Sequence, residues 1–378
     1  MSKQFIITIA TIIVIAIAAS VAIFLAKGYT FSPAEKRIVG TGIITISSEP
    51  DSASVFIDGH LTTATNATIS SLPPKSYTVK IVKEGFIPWE KQISVKEGLV
   101  TPVKVTLFPA IPTIYPLTFN GVVSPTLSLD GGKLAFVVPA SAGKKAGVWV
   151  WTQTSNQPIS FARSAEPHQI AQNSVADFSK ASLRWSSDSK QILATVGNNN
   201  YLLNVDSLNN DPRDITPILQ ATIKSWEDDV RSKDEARILA IKDVATQQIA
   251  SSSAALHWSP DETKFMVVKS DNNAKANSAE IVKTKEGAKV YGLEEKKEYL
   301  LPAARAHVWL PDSRHIILVE DKTISVVDFD GTNKAVIYAG SFQDDFVFPW
   351  LDSSRLVIIS SFPTPTASEP NLYGINLK

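Results

Sequence analysis

The chain has 378 residues, of which 44% are hydrophobic and 20% are charged. This composition supports a large buried core and excludes a chain that is disordered throughout. The 37 basic residues balance the 37 acidic ones, and no run of Lys and Arg stands out, which argues against nucleic-acid binding. There is no Cys, which excludes disulfides, thiolate metal sites, cysteine nucleophiles and a lipid-modified N-terminal Cys.

The first predicted element is an apolar segment near the N-terminus. Phe5 to Ala26 is an uncharged run rich in Ile, Val and Ala. A helix over this run would be roughly 33 Å long, enough to cross a bilayer core. We therefore predict a single-pass transmembrane anchor over residues 1–26, with the N-terminus in the cytoplasm and the bulk of the chain extracytoplasmic. The alternative is a cleaved signal peptide, for which Ala16-Ile17-Ala18 offers a small-residue pattern.

A small β domain is predicted after a stalk over residues 27–40. From Gly42 to Leu107, apolar residues alternate with Thr, Ser and Lys, which is typical of strands with one face in a core and the other in water. Turn residues such as Asp58-Gly59 and Pro73-Pro74 separate the apolar runs. The pattern and the length favour a small β-sandwich over residues 41–108.

This segment resembles the PEGA domain. Pro50-Asp51-Ser52-Ala53 stands where the family has its name-giving tetrapeptide. The other matching residues are Val55-Phe56-Ile57-Asp58-Gly59, Leu72-Pro73, Tyr77-Thr78-Val79 and Glu84-Gly85-Phe86. The sequence departs from the family at Ser52, Ala64 and Ser76, where the family favours Gly. The resemblance implies a bacterial, envelope-associated module without known chemistry, which serves as a spacer or binds a surface.

The rest of the chain, residues 109–378, repeats one phrase, in which a Trp precedes a short polar turn with Asp and an apolar run. The copies are Trp258-Ser259-Pro260-Asp261, Trp185-Ser186-Ser187-Asp188, Trp309-Leu310-Pro311-Asp312, Trp350-Leu351-Asp352 and the fainter Leu127-Ser128-Leu129-Asp130. Such repetition indicates a propeller or a solenoid, in which no unit can bury its apolar face alone.

Further predicted strands follow each copy, and together they favour a β-propeller with four strands, A to D, in each blade. The predicted C strands are Val148–Gln153, Tyr201–Val205, Lys289–Leu293, Thr323–Phe329 and Leu372–Leu377. The predicted D strands are Ile159–Ala162, Arg213–Ile215, Glu298–Leu301 and Lys334–Tyr338. The last blade lacks a D strand of its own, whereas Thr113–Phe119 precedes the first blade without a partner. We therefore predict five blades closed by Thr113–Phe119, with six blades as the alternative.

The phrase itself resembles the WD-like repeat of the periplasmic Tol-system propeller, whose consensus is Trp-Ser-Pro-Asp-Gly-x-x-Ile-Ala-Phe. Trp258–Val267 and Leu127–Phe136 match best, whereas Trp350–Val357 is one residue short. The resemblance implies the fold and not the function.

A helical insertion is predicted at about residues 218–250, between the second and third blades. Thr216-Pro217 offers an N-cap and a first-turn Pro. Apolar residues then recur at helical spacing, at Leu219, Ile223, Trp226 and Val230, and again at Ile238, Ile241, Ala245 and Ile249. The pattern fits one long helix or two shorter ones.

The acidic residues of the repeats do not predict an active site. The recurring Asp130, Asp188, Asp261, Asp312 and Asp352 could suggest a ring of carboxylates. A cap on each turn explains their repetition better, because a folding device recurs in every blade. Asp328-Phe329-Asp330-Gly331 is similar to the opening of a calcium loop, but no Glu follows at the required distance, and a hairpin turn is favoured.

The remaining candidate groups also favour structural roles. The five His residues, at positions 60, 168, 257, 307 and 315, lack metal-binding spacing. The Trp residues at 185, 258, 309 and 350 are better placed for core packing than for stacking on a carbohydrate. Neither a nucleophile elbow nor a phosphate-binding loop occurs. We predict no catalytic residue, no cofactor and no metal.

These features favour a non-enzymatic, membrane-anchored scaffold of the cell envelope, with the propeller as a protein- or glycan-binding head. The alternatives are a transport accessory protein like the Tol propeller and a propeller hydrolase. We expect binding on the face that carries the B–C and D–A connections, because long loops on a rigid scaffold often bind partners. These long segments are Pro139–Gly147, Arg163–Ala181, Ile218–Ala250, Ser270–Gly287 and Phe362–Pro370. The alternative for the insertion is that it plugs or covers the ring.

Overall fold

The computed structural model describes residues 3–26, 29–32, 37–153, 166–253, 256–267, 282–283, 287–343, 346–362 and 369–378. The chain divides into two compact units, Met1–Ile111 with Lys378, and Pro112–Leu377. Both are built from small sheets, nearly all of them antiparallel, so the fold is mainly β.

The first element is helix α1, Lys3–Ala26. Its described apolar side chains are exposed, as Ile12 and Ile15 illustrate. Within the residues whose side chains are described, which in α1 are Ile7 and residues 9–22, no helix is long and apolar enough to span a bilayer. The predicted transmembrane anchor is therefore not confirmed. Two short strands, β1 (Tyr29–Ser32) and β2 (Arg37–Gly40), pair in the segment predicted as a stalk.

The rest of the first unit consists of two sheets around one apolar core. The strands are β3 (Gly42–Glu49), β4 (Ser54–Ile57), β5 (His60–Ala64), β6 (Ala67–Leu72), β7 (Ser76–Val82), β8 (Trp89–Ser94) and β9 (Val100–Thr106). Their order is β6-β3-β9 in one sheet and β5-β4-β7-β8 in the other. Ile44, Val55 and Val79 are completely buried, and β3 and β7 bury alternate residues. The predicted alternation of buried and exposed positions is confirmed.

The second unit contains five sheets, which we number 1 to 5 in chain order. Sheet 1 has β11 (Val123–Leu127), β12 (Lys133–Val138), β13 (Gly147–Thr152) and β14 (His168–Gln172), and sheet 2 has β15 (Ser182–Trp185), β16 (Gln191–Val196), β17 (Asn199–Asn204) and β18 (Arg213–Asp214). Sheet 3 has β19 (Leu256–Trp258), β20 (Lys264–Val267), β22 (Lys289–Gly292) and β23 (Lys297–Leu300). Sheet 4 has β24 (Ala306–Trp309), β25 (His315–Val319), β26 (Thr323–Asp328) and β27 (Ala335–Ala339), with β21 (Val282–Lys283) added at the edge of β24. Sheet 5 has β28 (Val347–Pro349), β29 (Arg355–Ser360) and β30 (Asn371–Asn376), and its fourth strand is β10 (Ile114–Pro116).

Strand β10 closes the last sheet from the other end of the unit. It pairs antiparallel with β30, so that Ile114 lies opposite Ile375 and Tyr115 opposite Gly374. The Leu117 amide extends the pairing by donating to the Leu372 carbonyl. The predicted closure by residues 113–119 is therefore confirmed. In the described part of the chain, five sheets have the A-to-D order of blades.

Apolar clusters join neighbouring sheets face to face. Val137 of sheet 1 shares a buried cluster with Leu203 of sheet 2. Met266 of sheet 3 and Ile316 of sheet 4 belong to a second cluster. A third cluster joins sheet 5 to sheet 1. Three of the five junctions between these sheets therefore pack face to face through apolar side chains, as the blades of a propeller do.

The outer strand of sheet 1 differs from the prediction. The predicted strand Ile159–Ala162 lies outside the described residues, and β14 takes the D position instead. The segment Arg163–Ala181, predicted as a long D–A loop, therefore contains a strand, and a 3-10 turn over Phe178–Lys180 follows it. Only Ile170 and Ala171 of β14 are buried, and these two adjacent apolar residues between polar ones give no period-two signal.

Two other predicted loops are only partly described. Of Ser270–Gly287, the structure describes β21 and Gly287, and of Phe362–Pro370 it describes the two ends. The predicted loop Pro139–Gly147 contains a 3-10 segment over Ala140–Lys145.

The insertion between sheets 2 and 3 contains two helices, α2 (Leu219–Leu239) and α3 (Val244–Ser252). The predicted N-cap is wrong, because Thr216 lies in a 3-10 turn and its hydroxyl accepts a hydrogen bond from the Asn200 amide across 2.8 Å. The Asp243 side chain caps α3 by accepting from the Thr246 amide.

Candidate interaction surface

The five A–B turns, which join strand A to strand B of each sheet, have the same structure. In each, the Asp side chain accepts a hydrogen bond from the backbone amide two residues later. The pairs are Asp130–Gly132, Asp188–Lys190, Asp261–Thr263, Asp312–Arg314 and Asp352–Ser354, with distances between 2.8 and 3.1 Å. The predicted capping role of the repeated Asp is confirmed, and each carboxylate serves its own turn.

The register of the fifth turn differs from the prediction. The amide of Trp350 donates to the carbonyl of Arg355, as the amide of Ser186 donates to that of Gln191. Trp350 therefore occupies the place of the Ser in the repeat, and Pro349 occupies the place of the Trp. The prediction that this copy is one residue short is wrong, because the turn has its full length once Pro349 is counted.

Two of the repeated Trp residues join neighbouring sheets. The indole N–H of Trp185 donates to the Thr126 carbonyl of sheet 1 across 3.1 Å. The indole N–H of Trp309 donates to the His257 carbonyl of sheet 3 across 2.9 Å. Both side chains are buried, so the predicted packing role is confirmed for them. Trp258 starts the turn of sheet 3, but its buried indole N–H makes no such bond.

Helix α2 contacts sheets 2 and 3. The Arg184 guanidinium of sheet 2 pairs with Glu227 of α2 across 3.2 Å. The hydroxyl of Ser187, in the A–B turn of sheet 2, donates to Asp229 of α2 across 2.8 Å. At the other end of α2, Arg237 pairs across 2.8 Å with Glu262, in the A–B turn of sheet 3. The insertion begins after the D strand of sheet 2, yet its side chains contact the A–B turns of sheets 2 and 3. The sequence did not predict these contacts.

Residues at the C-terminal end of α2 lie beside the Trp258 side chain. The Arg237 guanidinium lies 6.0 Å from the Trp258 ring centroid and pairs with Asp234 across 3.1 Å. Desolvation raises the pKa of Asp234, although Arg237 and the Trp258 indole act in the opposite direction. No hydrogen bond of normal geometry joins the Trp258 N–H to this carboxylate. At the junction of sheets 2 and 3, polar contacts with α2 therefore take the place of the Trp–carbonyl bond.

The insertion also covers sheet 3 with apolar side chains. Ile241 and Ala250 are buried in a cluster with Phe265 and Tyr291 of that sheet. The prediction that the apolar stripe of the insertion is buried is thus confirmed only in part, because no residue of α2 is fully buried. The outer side of the insertion exposes charged residues along α2, and Leu239 and Val244 at the corner between the helices are 77% and 65% exposed.

The predicted calcium-like segment is part of a hairpin turn. The Gly331 amide donates to the Asp328 carbonyl across 2.8 Å between β26 and β27. Nδ1 of the buried His315 lies 2.6 Å from Asp312, and its Nε2 lies 3.5 Å from Asp328. Burial acts to raise the pKa of Asp312, but the contact with His315 prevails, and the pKa is lowered. Among the described residues, no group of His, Asp and Glu could hold a metal ion.

Three other His residues also have structural contacts or lie at the surface. His168 Nε2 lies 2.8 Å from the Val205 carbonyl, and His307 Nε2 lies 3.0 Å from the Pro302 carbonyl. His60 is exposed on β5.

Comparison with known proteins identifies one domain. Residues 41–111 match the PEGA domain, which confirms the predicted resemblance for this segment. No curated protein matches the chain.

The solved structures to which the chain is similar include three with low scores. A TolB-type protein from Agrobacterium tumefaciens is 13% identical, with a TM-score of 0.24, and 67% of this chain and 78% of that chain are covered. TolB from Acinetobacter baumannii is 10% identical, with a TM-score of 0.24 and coverages of 81% and 60%. A eukaryotic initiation factor is 13% identical, with a TM-score of 0.23 and coverages of 81% and 69%.

Proposed function

We propose that the protein is a non-enzymatic binding protein of the cell envelope. The second unit presents the partner-binding surface, and the PEGA domain acts as a spacer or as a contact to the envelope. The observation that carries the proposal is α2, which interrupts the repeat and lies over two A–B turns with its charged outer side exposed. A helix held on a rigid scaffold in this way offers the variety that the repeated turns lack.

The contacts of the repeated Asp residues and of His315 favour a binding protein over an enzyme. The repeated carboxylates accept backbone hydrogen bonds in their own turns, and His315 contacts two carboxylates. Groups engaged in this way serve the fold, and a hydrolase needs a nucleophile or an activated water beside its base.

The proposal extends to membrane attachment through α1. The part of α1 whose side chains are described, Ile7 and residues 9–22, carries exposed Ile and Val residues and no charge. Such a surface is stabilised by contact with an apolar phase. Full-length protein should stay in the membrane fraction through a high-salt wash, and a variant without residues 1–27 should leave it. Soluble full-length protein would remove this part of the proposal.

The binding surface can be tested by site-specific crosslinking. A photoreactive side chain at Lys233, exposed on α2, should crosslink to one defined envelope component in intact cells. The same side chain at Lys297, exposed on β23 of sheet 3, is the matched control. In addition, Lys224→Glu with Glu235→Lys, which reverses two exposed charges of α2, should weaken the crosslink from position 233. Equal crosslinking from both positions, or none from position 233, would contradict the proposal.

A further inference from the structure

The loop before β9 exposes two adjacent large apolar side chains. They are Leu99 and Val100, which are 54% and 56% exposed. Between residues 41 and 108, all of which are described, the only other large apolar side chain exposed to this degree is Leu61. Single apolar residues are ordinary at a protein surface, whereas turns mostly carry polar ones. An apolar pair at a loop is a surface that contact with an apolar phase would stabilise.

The register of β9 places this pair at the end of the domain where the chain arrives from α1. β9 runs parallel to β3, and Val100 lies opposite Ile43. The Ile43 amide donates to the Leu99 carbonyl across 3.0 Å, and the Gly98 amide donates to the Thr41 carbonyl across 3.0 Å. Parallel strands begin at the same end of a sheet. Leu99 and Val100 therefore lie beside Thr41, the residue that precedes β3.

The hairpin of β1 and β2 keeps this end of the domain close to α1. Tyr29 of β1 pairs with Gly40 of β2. Paired antiparallel residues have Cα atoms about 5 Å apart, and three residues of chain span at most about 11 Å. Gly40 therefore lies within about 16 Å of Ala26, the last residue of α1. A Cβ at Gly40 would overlap the side chain of Glu97, so the loop of Leu99 lies directly against the hairpin.

The pair lies close enough to α1 to meet the same apolar phase. The described side chains of α1, at Ile7 and residues 9–22, include exposed Ile and Val residues and no charge. Where α1 ends in the interfacial layer of a bilayer, Leu99 and Val100 lie next to that layer. Apolar side chains are stabilised there, and a long Lys side chain keeps its ammonium among the headgroups. Lys96, in the same loop, is exposed and has this length and charge.

We propose that the end of the PEGA domain next to α1 rests on the lipid surface, with Leu99 and Val100 in the interfacial layer. The partner is the bilayer itself, and the contact sets the orientation of the domain on the membrane. This inference rests on the proposed attachment through α1. Attachment and contact are separate quantities, because the first is the binding of the whole chain and the second is the depth of one loop.

The absence of Cys allows a single fluorophore to be attached to the full-length protein at a chosen position. Leu99→Cys places a polarity-sensitive fluorophore at the proposed contact. Leu61→Cys is the matched control, because Leu61 is the same residue type and is 66% exposed on β5.

The control position lies further from the proposed contact. In the register of the sheet, Leu61 is level with Lys80 of β7. The loop of Leu99 begins instead at the level of Lys75, whose carbonyl accepts from the Val95 amide across 2.9 Å. The strand length between Lys75 and Lys80 is about 17 Å. A fluorophore at position 61 should therefore stay in water when position 99 meets the lipid.

The measurement uses phosphatidylcholine vesicles whose lipids carry a nitroxide near the top of the acyl chain, which quenches fluorophores at short range. Flotation of the labelled protein with the vesicles reports attachment through α1. In the floated protein, the fluorophore at position 99 should shift its emission to shorter wavelength and lose most of its intensity to the nitroxide. The fluorophore at position 61 should do neither.

The outcomes separate the contact from the attachment. Flotation without quenching at position 99 overturns the inference and leaves the attachment intact, whereas a protein that does not float overturns both. Equal quenching at positions 99 and 61 also overturns the inference, because the contact would then not be specific to this end of the domain. An emission shift at position 99 without nitroxide quenching would assign the pair to contact with a second copy of the chain, and the lipid contact would be wrong.

A charge at position 99 tests whether the apolar pair holds the loop at the lipid. With the fluorophore at Lys96→Cys in the same loop, Leu99→Glu should reduce the nitroxide quenching, because a carboxylate is costly to move out of water. Leu61→Glu places the same charge on the control position and should leave the quenching at position 96 unchanged. Should Leu99→Glu fail to fold, the uncharged Leu99→Gln replaces it. Quenching at position 96 that neither change at position 99 reduces would contradict the proposal.

Discussion

The indole N–H of Trp309 donates a hydrogen bond of 2.9 Å to the carbonyl oxygen of His257. Trp309 begins the turn of sheet 4, and His257 lies in the inner strand of sheet 3. Trp185 and Thr126 have the same relationship between sheets 2 and 1. Trp185 and Trp309 thus each join their sheet to the preceding one through a hydrogen bond as well as through packing.

The first prediction separates this hydrogen bond from packing. Trp309→Phe should lower the free energy of unfolding by about 1 kcal/mol more than Trp258→Phe does. The two changes remove the same atoms, but only Trp309 loses a hydrogen bond to a carbonyl of the preceding sheet. Chemical denaturation of both variants provides the measurement. An equal loss of stability would show that the bond contributes nothing beyond packing.

Local patterns in the sequence predicted the repeated turns and the alternating strands. The Asp residues recur with their turns, and β3 shows a clear period of two. The place of Pro349 was not predicted, because only the backbone hydrogen bonds decide which of two adjacent residues begins the turn. The contacts of α2 were not predicted either. The pair Arg184–Glu227 joins residues that are far apart in the sequence, and such pairs leave no local periodicity.

The second prediction concerns the closure of the ring. The side-chain oxygen of Asn371 accepts from the Thr118 hydroxyl and the Gly121 amide, each across 3.1 Å, and Asn371 is only 5% exposed. Asn371→Ala would leave both donors without this acceptor and should cost about 1–3 kcal/mol of the free energy of unfolding. Asn376 bonds to Thr113 at an exposed position of the same closure. Asn376→Ala should therefore cost less than about 0.5 kcal/mol. If both variants lost a similar amount of the free energy of unfolding, burial of Asn371 would not explain its contribution to stability.

The third prediction concerns backbone strain at the residue that follows the Asp in each A–B turn. The residue after each turn Asp has positive φ, as at Gly131 with 67° and Ser353 with 55°. Side chains with Cβ are strained there, whereas Gly is not. A Cβ at Gly131 would meet no atom within 4 Å, so Gly131→Ala tests backbone strain alone. It should destabilise the protein by about 1 kcal/mol, whereas Ser353→Gly should stabilise it by a similar amount. Thermal unfolding of both variants should show shifts of opposite sign, and two shifts of the same sign would contradict the prediction.

The fourth prediction is a loss of stability in mildly acidic solution. Burial lowers the pKa of His257 from 6.5 to about 4, because its ring is enclosed although the residue as a whole is half-buried. Burial also lowers the pKa of His307, whose Nε2 contacts the Pro302 carbonyl. Both rings therefore stay neutral in the folded chain at a pH where they take up a proton in the unfolded chain.

The pKa of His257 is 6.5 in the unfolded chain and about 4 in the folded chain. Between these two values the unfolded chain binds more protons than the folded chain does. The contribution of His257 to stability is thus complete above about pH 6.5 and is lost as the pH falls toward about 4. Urea unfolding at steps between pH 7.5 and 4.5 should show stability falling by up to about 1.4 kcal/mol per pH unit for one such group. His257→Gln should make this dependence shallower. His60→Gln, which replaces an exposed side chain of the first unit, is the control variant. A pH dependence that His257→Gln does not alter would show that the ring takes up its proton at the same pH in the folded and the unfolded chain.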